Sequence, residues 1–172
     1  MAKWLVYNKR ADFKAIGEKY HIDPVVARIL VNRDVGDDAS IAAYLHPSKK
    51  DFGDAGLLQD MDKAIALLQK AIQQNTKIRI IGDYDIDGIQ STYILHQGLL
   101  RVGADADYAI PDRIEDGYGV NIRLMERCVM DGIGLVITCD NGIAAAEAIA
   151  YAKKEGLTVI VTDHHEVPYE LV

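Results

Sequence analysis

Four short strand-like runs alternate with amphipathic stretches of helical period, and this alternation constrains the chain more than any other feature. The runs are Ile78–Ile81, Asp107–Ile110, Leu135–Thr138 and Thr158–Val161, separated by Ile89–Val102, Asn121–Met130 and Ala144–Glu155. Parallel neighbours need a crossover connection rather than a tight turn, and helices of this length supply one. The expectation is an α/β fold: a mainly parallel sheet with helices on both faces. In such a sheet, functional groups collect at the carboxyl ends of the strands, where strand order reverses. An order of second, first, third, fourth places the first and third strands side by side at that point.

Residues 1–58 read as a small helical N-terminal region and 59–172 as the α/β domain. Asp23-Pro24 is a helix start, with Asp as cap and Pro in the first turn; Val25, Val26, Ile29 and Leu30 then form an apolar face. Ser40 is expected to cap a second short helix carrying Ile41, Tyr44 and Leu45 that stops at His46-Pro47. Ser48–Gly56 reads as a connection. Met61, Ile65, Leu68 and Ile72 mark a longer amphipathic helix, Met61–Gln74.

Each strand-end cluster is acidic or carries histidine. After the first strand comes Gly82-Asp83-Tyr84-Asp85-Ile86-Asp87-Gly88. In extended chain, residues two apart point the same way, so Asp85 and Asp87 can serve one metal pair, with Asp83 behind them in a supporting position. Gly82 and Gly88 are expected to turn the backbone sharply and leave room near a phosphate. Ser91 is expected in the first turn of the next helix, facing an anion. An acidic surface turn or calcium-type loop is the bland alternative, but no EF-hand glutamate follows at the required spacing.

After the third strand, Asp140 precedes Asn141-Gly142, a tight-turn signal, and is either a helix cap or a ligand. Cys139 is read as a small buried residue. The fourth strand ends in Asp163-His164-His165, either a solvated pair of imidazoles or a nitrogen donor set. A mixed Asp and His set favours Mn²⁺ first and Mg²⁺ second, with one His on metal, the other toward substrate, and Asp163 orienting a ring. After the second strand, Arg113 offers a guanidinium fork for phosphate. Gly117 and Gly119 suit a close turn, and Tyr118 either packs or stacks on a base. His21, His46 and His96 have no such neighbours and read as structural or exposed.

Composition narrows the function classes. A net charge of −7 argues against binding nucleic acid by bulk charge, yet a carboxylate site meets phosphate through cations that offset its own charge. No apolar run approaches the ~18 residues of a membrane span, and Met1–Arg10 lacks a signal-peptide core. No membrane partner is therefore expected. Cys128 and Cys139 make no disulfide framework, so a reducing cytoplasm fits.

With these residues in hand, the chain resembles the DHH phosphoesterase family, and within it the single-strand-specific DNA exonucleases. The GDYDIDG, IPDR…GYG, VITCDNG and TDHH runs stand in the family's order and spacing. Ile29-Leu30-Val31-Asn32-Arg33 and Leu57-Leu58-Gln59-Asp60-Met61 extend the likeness upstream. The resemblance implies hydrolysis of single-stranded DNA from 5′ to 3′ by two divalent cations, in DNA repair and recombination. It implies Asp85, Asp87, Asp140 and His164 as ligands, with Asp140 bridging and His165 on the scissile phosphate. It also implies a further metal-binding aspartate and a second domain beyond the last motif. The 172 residues are therefore expected to be the N-terminal portion of a longer protein, weak in metal binding and nearly inactive alone. Two alternatives are a family member acting on oligonucleotides or cyclic dinucleotides, and a non-catalytic scaffold. The upstream likeness speaks against the first, and the retained ligand set against the second.

Overall fold

A computed structural model describes residues 3, 8–114, 116, 117 and 119–167. The chain divides into two compact units, Met1–Leu57 and Leu58–Val172.

The first unit is helical, with α1 Phe13–Tyr20, α2 Pro24–Asn32 and α3 Asp38–Leu45. Asp23 caps α2 by accepting from the Val25 amide, with Pro24 in the first turn. The buried stripe of α2 is Ala27, Leu30 and Val31, at i, i+3 and i+4, whereas Val25, Val26 and Ile29 are exposed. The expected face thus shares only Leu30 with the real one: four neighbouring apolar residues allow more than one helical phase. Ser40 does not cap α3; Asp37 does, accepting from the Ala39 and Ser40 amides. Asp37 is the earlier of the two polar candidates, so the helix gains most of a turn. His46 ends α3 and His21 ends α1, the latter at φ 55°. Within the expected Ser48–Gly56 connection, a short 3₁₀ turn covers Lys49–Asp51, and a second, Ala55–Leu57, lies at its end.

The second unit begins with α4 Met61–Gln73. It continues as β1 Ile78–Ile81, α5 Ile86–Arg101, β2 Ala106–Ala109, α6 Ile122–Met130, β3 Leu135–Thr138, α7 Ala146–Lys154 and β4 Thr158–Ile160. All pairings are parallel, in the expected order β2-β1-β3-β4, with Ile81 opposite Thr138 at the carboxyl end. Ile78, Ile80, Leu135 and Ile137 pack on one face against Ala71 of α4 and Leu99 of α5; Leu68 and Ile72 of α4 lie on the same core half-buried, while Ile65 is exposed. Ile81 and Val136 pack on the other face against Leu124, Met125 and Cys128 of α6 and Ala148 and Ala152 of α7. Each fully buried isoleucine stabilises by roughly 1.5–3 kcal/mol over its exposed state. The sheet is therefore a rigid floor for the loops at its carboxyl edge.

One of those loops follows β2 and is anchored by Asp116. Its carboxylate accepts from the Asp112 amide at 3.0 Å and Arg123 at 2.5 Å, with Arg127 at 3.4 Å. The Asp112 amide, then the Arg123 guanidinium, hold its pKa below the ordinary carboxylate value. A depressed acid stabilises above its unfolded pKa, and that stability is lost as pH falls through the folded value. The protection factor of the Asp112 amide is therefore expected to be high at neutral pH and to fall below about pH 4, where carboxylates protonate. An Asp116→Asn chain should show low protection at both; a pH-independent protection factor in wild type would show that the carboxylate is not the anchor.

Candidate metal centre

The first and third strand ends meet because β1 and β3 are neighbours. The Cys139 amide donates to Ile81 O at 2.9 Å, the last backbone rung, and the Asp140 amide donates to Thr162 O at 3.1 Å. Asp140 then leaves the extended path at φ 60°, a conformation that Asp tolerates better than most residues. That turn buries its side chain. Asp140 is 8% exposed, and neither carboxylate oxygen has a hydrogen-bond donor. His164 Nε2 sits 2.8 Å from Asp140 Oδ1, an ion-pair distance, and acts to lower that carboxyl. Burial, and secondarily the negative charge of Asp85, push the Asp140 carboxyl above its ordinary range.

Asp163 organises the histidines. Its Oδ1 accepts from the His164 amide at 2.7 Å, the His165 amide at 3.0 Å and His165 Nδ1 at 2.7 Å, while Oδ2 accepts from the Ile143 amide at 2.9 Å. Burial alone would raise this carboxyl; the Ile143 and His165 amides outweigh it and hold the pKa below normal. Asp163 in turn raises the His165 imidazole by hydrogen bonding at Nδ1, which leaves Nε2 as the ring's second polar atom. Ligand-type atoms of Asp140, His164 and His165 all lie within 4.8 Å of one another. Such a cluster of one hard oxygen donor and two imidazoles, with both carboxylate oxygens lacking donors, fits a divalent cation. A cavity of about 210 Å³ opens beside it, lined among others by Val120, Asn141, Ile143, Asp163 and His165.

The turn after β1 is arranged differently from expectation. Asp85 is the N-cap of α5, with Oδ1 accepting from the Asp87 and Gly88 amides at 3.0 Å each. The helix therefore starts at Ile86, and Asp87 lies exposed in its first turn. The extended-chain argument for paired carboxylates fails here, because only Asp85 is extended. Asp85 is near enough to act electrostatically on Asp140, but neither Asp85 nor Asp87 belongs to the 4.8 Å cluster among the described residues. Asp83 is 1% exposed, accepts from the Tyr84 amide at 2.8 Å and acts electrostatically on His165.

Ser91 is a turn deeper than expected, since the cap moves the helix start upstream; its hydroxyl donates to Gly88 O at 3.2 Å. Gly82 and Gly88 leave no room for a ligand. A Cβ at Gly82 would lie 2.0 Å from Thr92 Oγ1, and one at Gly88 2.5 Å from Asp83 O. Their missing side chains let α5 seat on β1. The Arg113 guanidinium stacks 5.4 Å from the Tyr84 ring centroid, over this turn. Gly117 and Gly119 turn at φ 78° and 75°, and Tyr118 lies outside the described residues. Cys139 is buried in the core, which pushes its thiol up. His96 approaches Ala106 O at 3.1 Å and meets the Tyr108 ring edge-on, away from the centre.

Sequence reasoning took Asn141 for a turn former and missed its role across the sheet. It is buried, and its amide donates to Gly82 O at 2.8 Å, 59 residues away. An amide side chain immediately after the strand-end Asp140 was the available signal.

Comparison with known proteins identifies relatives of the chain. The chain is 39% identical over 170 residues to the single-stranded-DNA-specific exonuclease RecJ of Bacillus subtilis, covering 98% of this chain and 22% of that one. The crystal structure of exonuclease RecJ bound to manganese superposes with a TM-score of 0.62 at 38% identity, over 66% of this chain and 29% of that one. RecJ from Thermus thermophilus in complex with Mn²⁺ matches with a TM-score of 0.62 at 27% identity, over 97% and 23%. The chain thus spans about a quarter of the length of these relatives. The DHH family, N-terminal domain, matches residues 77–172. More than half of the chain, including every strand of the sheet, lies in that match, and the chain belongs to the DHH family.

Proposed function

We propose that this chain carries the metal centre of a single-stranded-DNA exonuclease acting from 5′ to 3′, with residues 59–172 as the DHH domain. The observation that carries the reading is Asp140: a buried carboxylate with no donor on either oxygen, beside two imidazoles at a parallel-sheet edge. Burying such a group without a partner costs free energy, and a cation removes that cost. Asp85, Asp87, Asp140 and His164 would hold two divalent cations, Mn²⁺ first and Mg²⁺ second, with Asp140 between them. Bound cations supply an activated water and stabilise the leaving oxygen of an in-line displacement.

The residues of the chain do the rest. Asp163 fixes the His165 ring so that Nε2 meets the scissile phosphate. Arg113, stacked over Tyr84, offers its fork to a neighbouring phosphate, and Ser91 supports the turn from beneath rather than touching substrate. No helix among the described residues is long and apolar enough to cross a membrane, and the cytoplasm is the proposed compartment.

The test is a chimera in which this chain replaces the matching residues of the Bacillus subtilis RecJ. In Mn²⁺ it should release labelled mononucleotide at once from 5′-labelled single strands and progressively shorten 3′-labelled ones, spare blunt duplex, and favour long strands over dinucleotides. A folded chimera that cleaves only dinucleotides, or nothing, refutes the reading.

A further inference from the structure

We infer that Asn141 is a positioning residue that locks the end of β3 to the end of β1 and so sets the gap between Asp140 and the aspartates after β1. The inference rests on the metal reading above. Regular pairing of the two strands ends with the Cys139 amide on Ile81 O, because Asp140 turns away at φ 60°. The next carbonyl of β1, Gly82 O, would then face a segment with no backbone donor. Asn141 Nδ2 fills that place at 2.8 Å, extending the ladder by one side-chain rung.

Gly82 is held from other sides as well. Its amide donates to Ala109 O at 3.1 Å, and Thr92 Oγ1 lies only 2.0 Å from where a Cβ would stand. The carbonyl cannot swing toward another donor without displacing α5. On the other side of the rung, Asp140 is the immediate chain neighbour of Asn141, and Asp85 and Asp87 follow Gly82 by three and five residues. A change in the length of this one contact therefore changes the distance between the two acidic segments.

The chemistry of the residue points the same way. Asn141 is 3% exposed, and its Oδ1 has no donor. A buried amide with one half unsatisfied stabilises a fold poorly, since the orphaned acceptor offsets the bond made by the donor. An aspartate here would set acceptor against acceptor and add charge beside Asp140. A shorter hydroxyl would reach Gly82 O only by drawing the strand ends together. The amide keeps the donor and the spacing at once.

The experiment uses Mn²⁺ as probe and the 172-residue chain. Mn²⁺ binding is followed by electron paramagnetic resonance, and metal-free stability by urea unfolding, for wild type, Asn141→Ala and Leu135→Ala. Leu135 is a core residue at the opposite end of β3, 2% exposed, and serves as the control for plain destabilisation. Asn141→Ala should weaken Mn²⁺ binding by roughly 10–100-fold, the usual cost of losing a group that orients a ligand. The signal of a coupled Mn²⁺ pair should give way to that of isolated ions. Leu135→Ala should lower the urea midpoint more than Asn141→Ala while binding Mn²⁺ like wild type. Asn141→Ser, which keeps a short donor, is read in the same way if the alanine variant does not fold. Wild-type Mn²⁺ binding by the Asn141 variant, or equal loss in Leu135→Ala, overturns the inference and leaves the metal reading standing. A wild-type chain that binds no Mn²⁺ overturns both.

Discussion

Asp140→Asn is expected to remove Mn²⁺ binding while leaving the metal-free chain at least as stable as wild type. Both effects come from one carboxylate. In the metal-free fold, its two oxygens are buried without donors and lie near the negative charge of Asp85. Replacing the acid by a neutral amide of the same shape relieves that burial cost, by on the order of 1 kcal/mol. Asparagine also tolerates the left-handed backbone that Asp140 adopts, so the turn itself is unharmed. Removing a carboxylate that would itself hold the cation should cost more metal affinity than the ~10–100-fold lost with outer partners of a ligand. Calorimetric titration with Mn²⁺ and urea unfolding in chelator measure the two halves. Wild-type Mn²⁺ affinity in the variant would remove Asp140 from the centre. A large loss of metal-free stability would mean that the carboxylate serves the fold instead.

A large loss of stability is expected from Gly88→Ala. A methyl group there would stand 2.5 Å from Asp83 O and 2.6 Å from Asp83 Cα. Backbone cannot yield as a flexible side-chain tip does, so α5 must lift from the turn after β1. Overpacking of this kind costs about 1–3 kcal/mol, and more where backbone must shift. Gly98, ten residues on in the same helix, has nothing within 4 Å of the corresponding position. Gly98→Ala should stabilise by up to about 1 kcal/mol, through helix propensity and a less flexible unfolded chain. The same substitution in one helix is thus expected to have opposite signs, read by urea midpoints. Destabilisation by both would mean that helix seating is not what Gly88 provides. Because the seat is the turn that carries Asp85 and Asp87, Gly88→Ala should also weaken Mn²⁺ binding.

Much of the fold was legible in the sequence. The spans of β1 and β3 follow directly from their apolar runs, Ile78–Ile81 and Leu135–Thr138, because buried parallel strands have little else in them. Helix starts were less legible. Asp85 and Asp37 each cap a helix earlier than expected, since several aspartates in a row offer several equally good caps. That small shift propagated into the site. It moved Ser91 inward by a turn and separated the directions of Asp85 and Asp87, which an extended chain would have aligned.

The parallel sheet, the acids and histidines at its carboxyl edge and the strands that supply them were all readable from the residues alone. These follow from periods of about 2 and 3.6 residues, which each segment carries locally. Which atoms meet is set by the packed fold. Asp140 gathers with His164 and His165 because β3 and β4 pair in one register, and Asn141 reaches Gly82 across 59 residues. Contacts of that kind depend on where strands lie beside one another and on where the next helix begins. No local period records either.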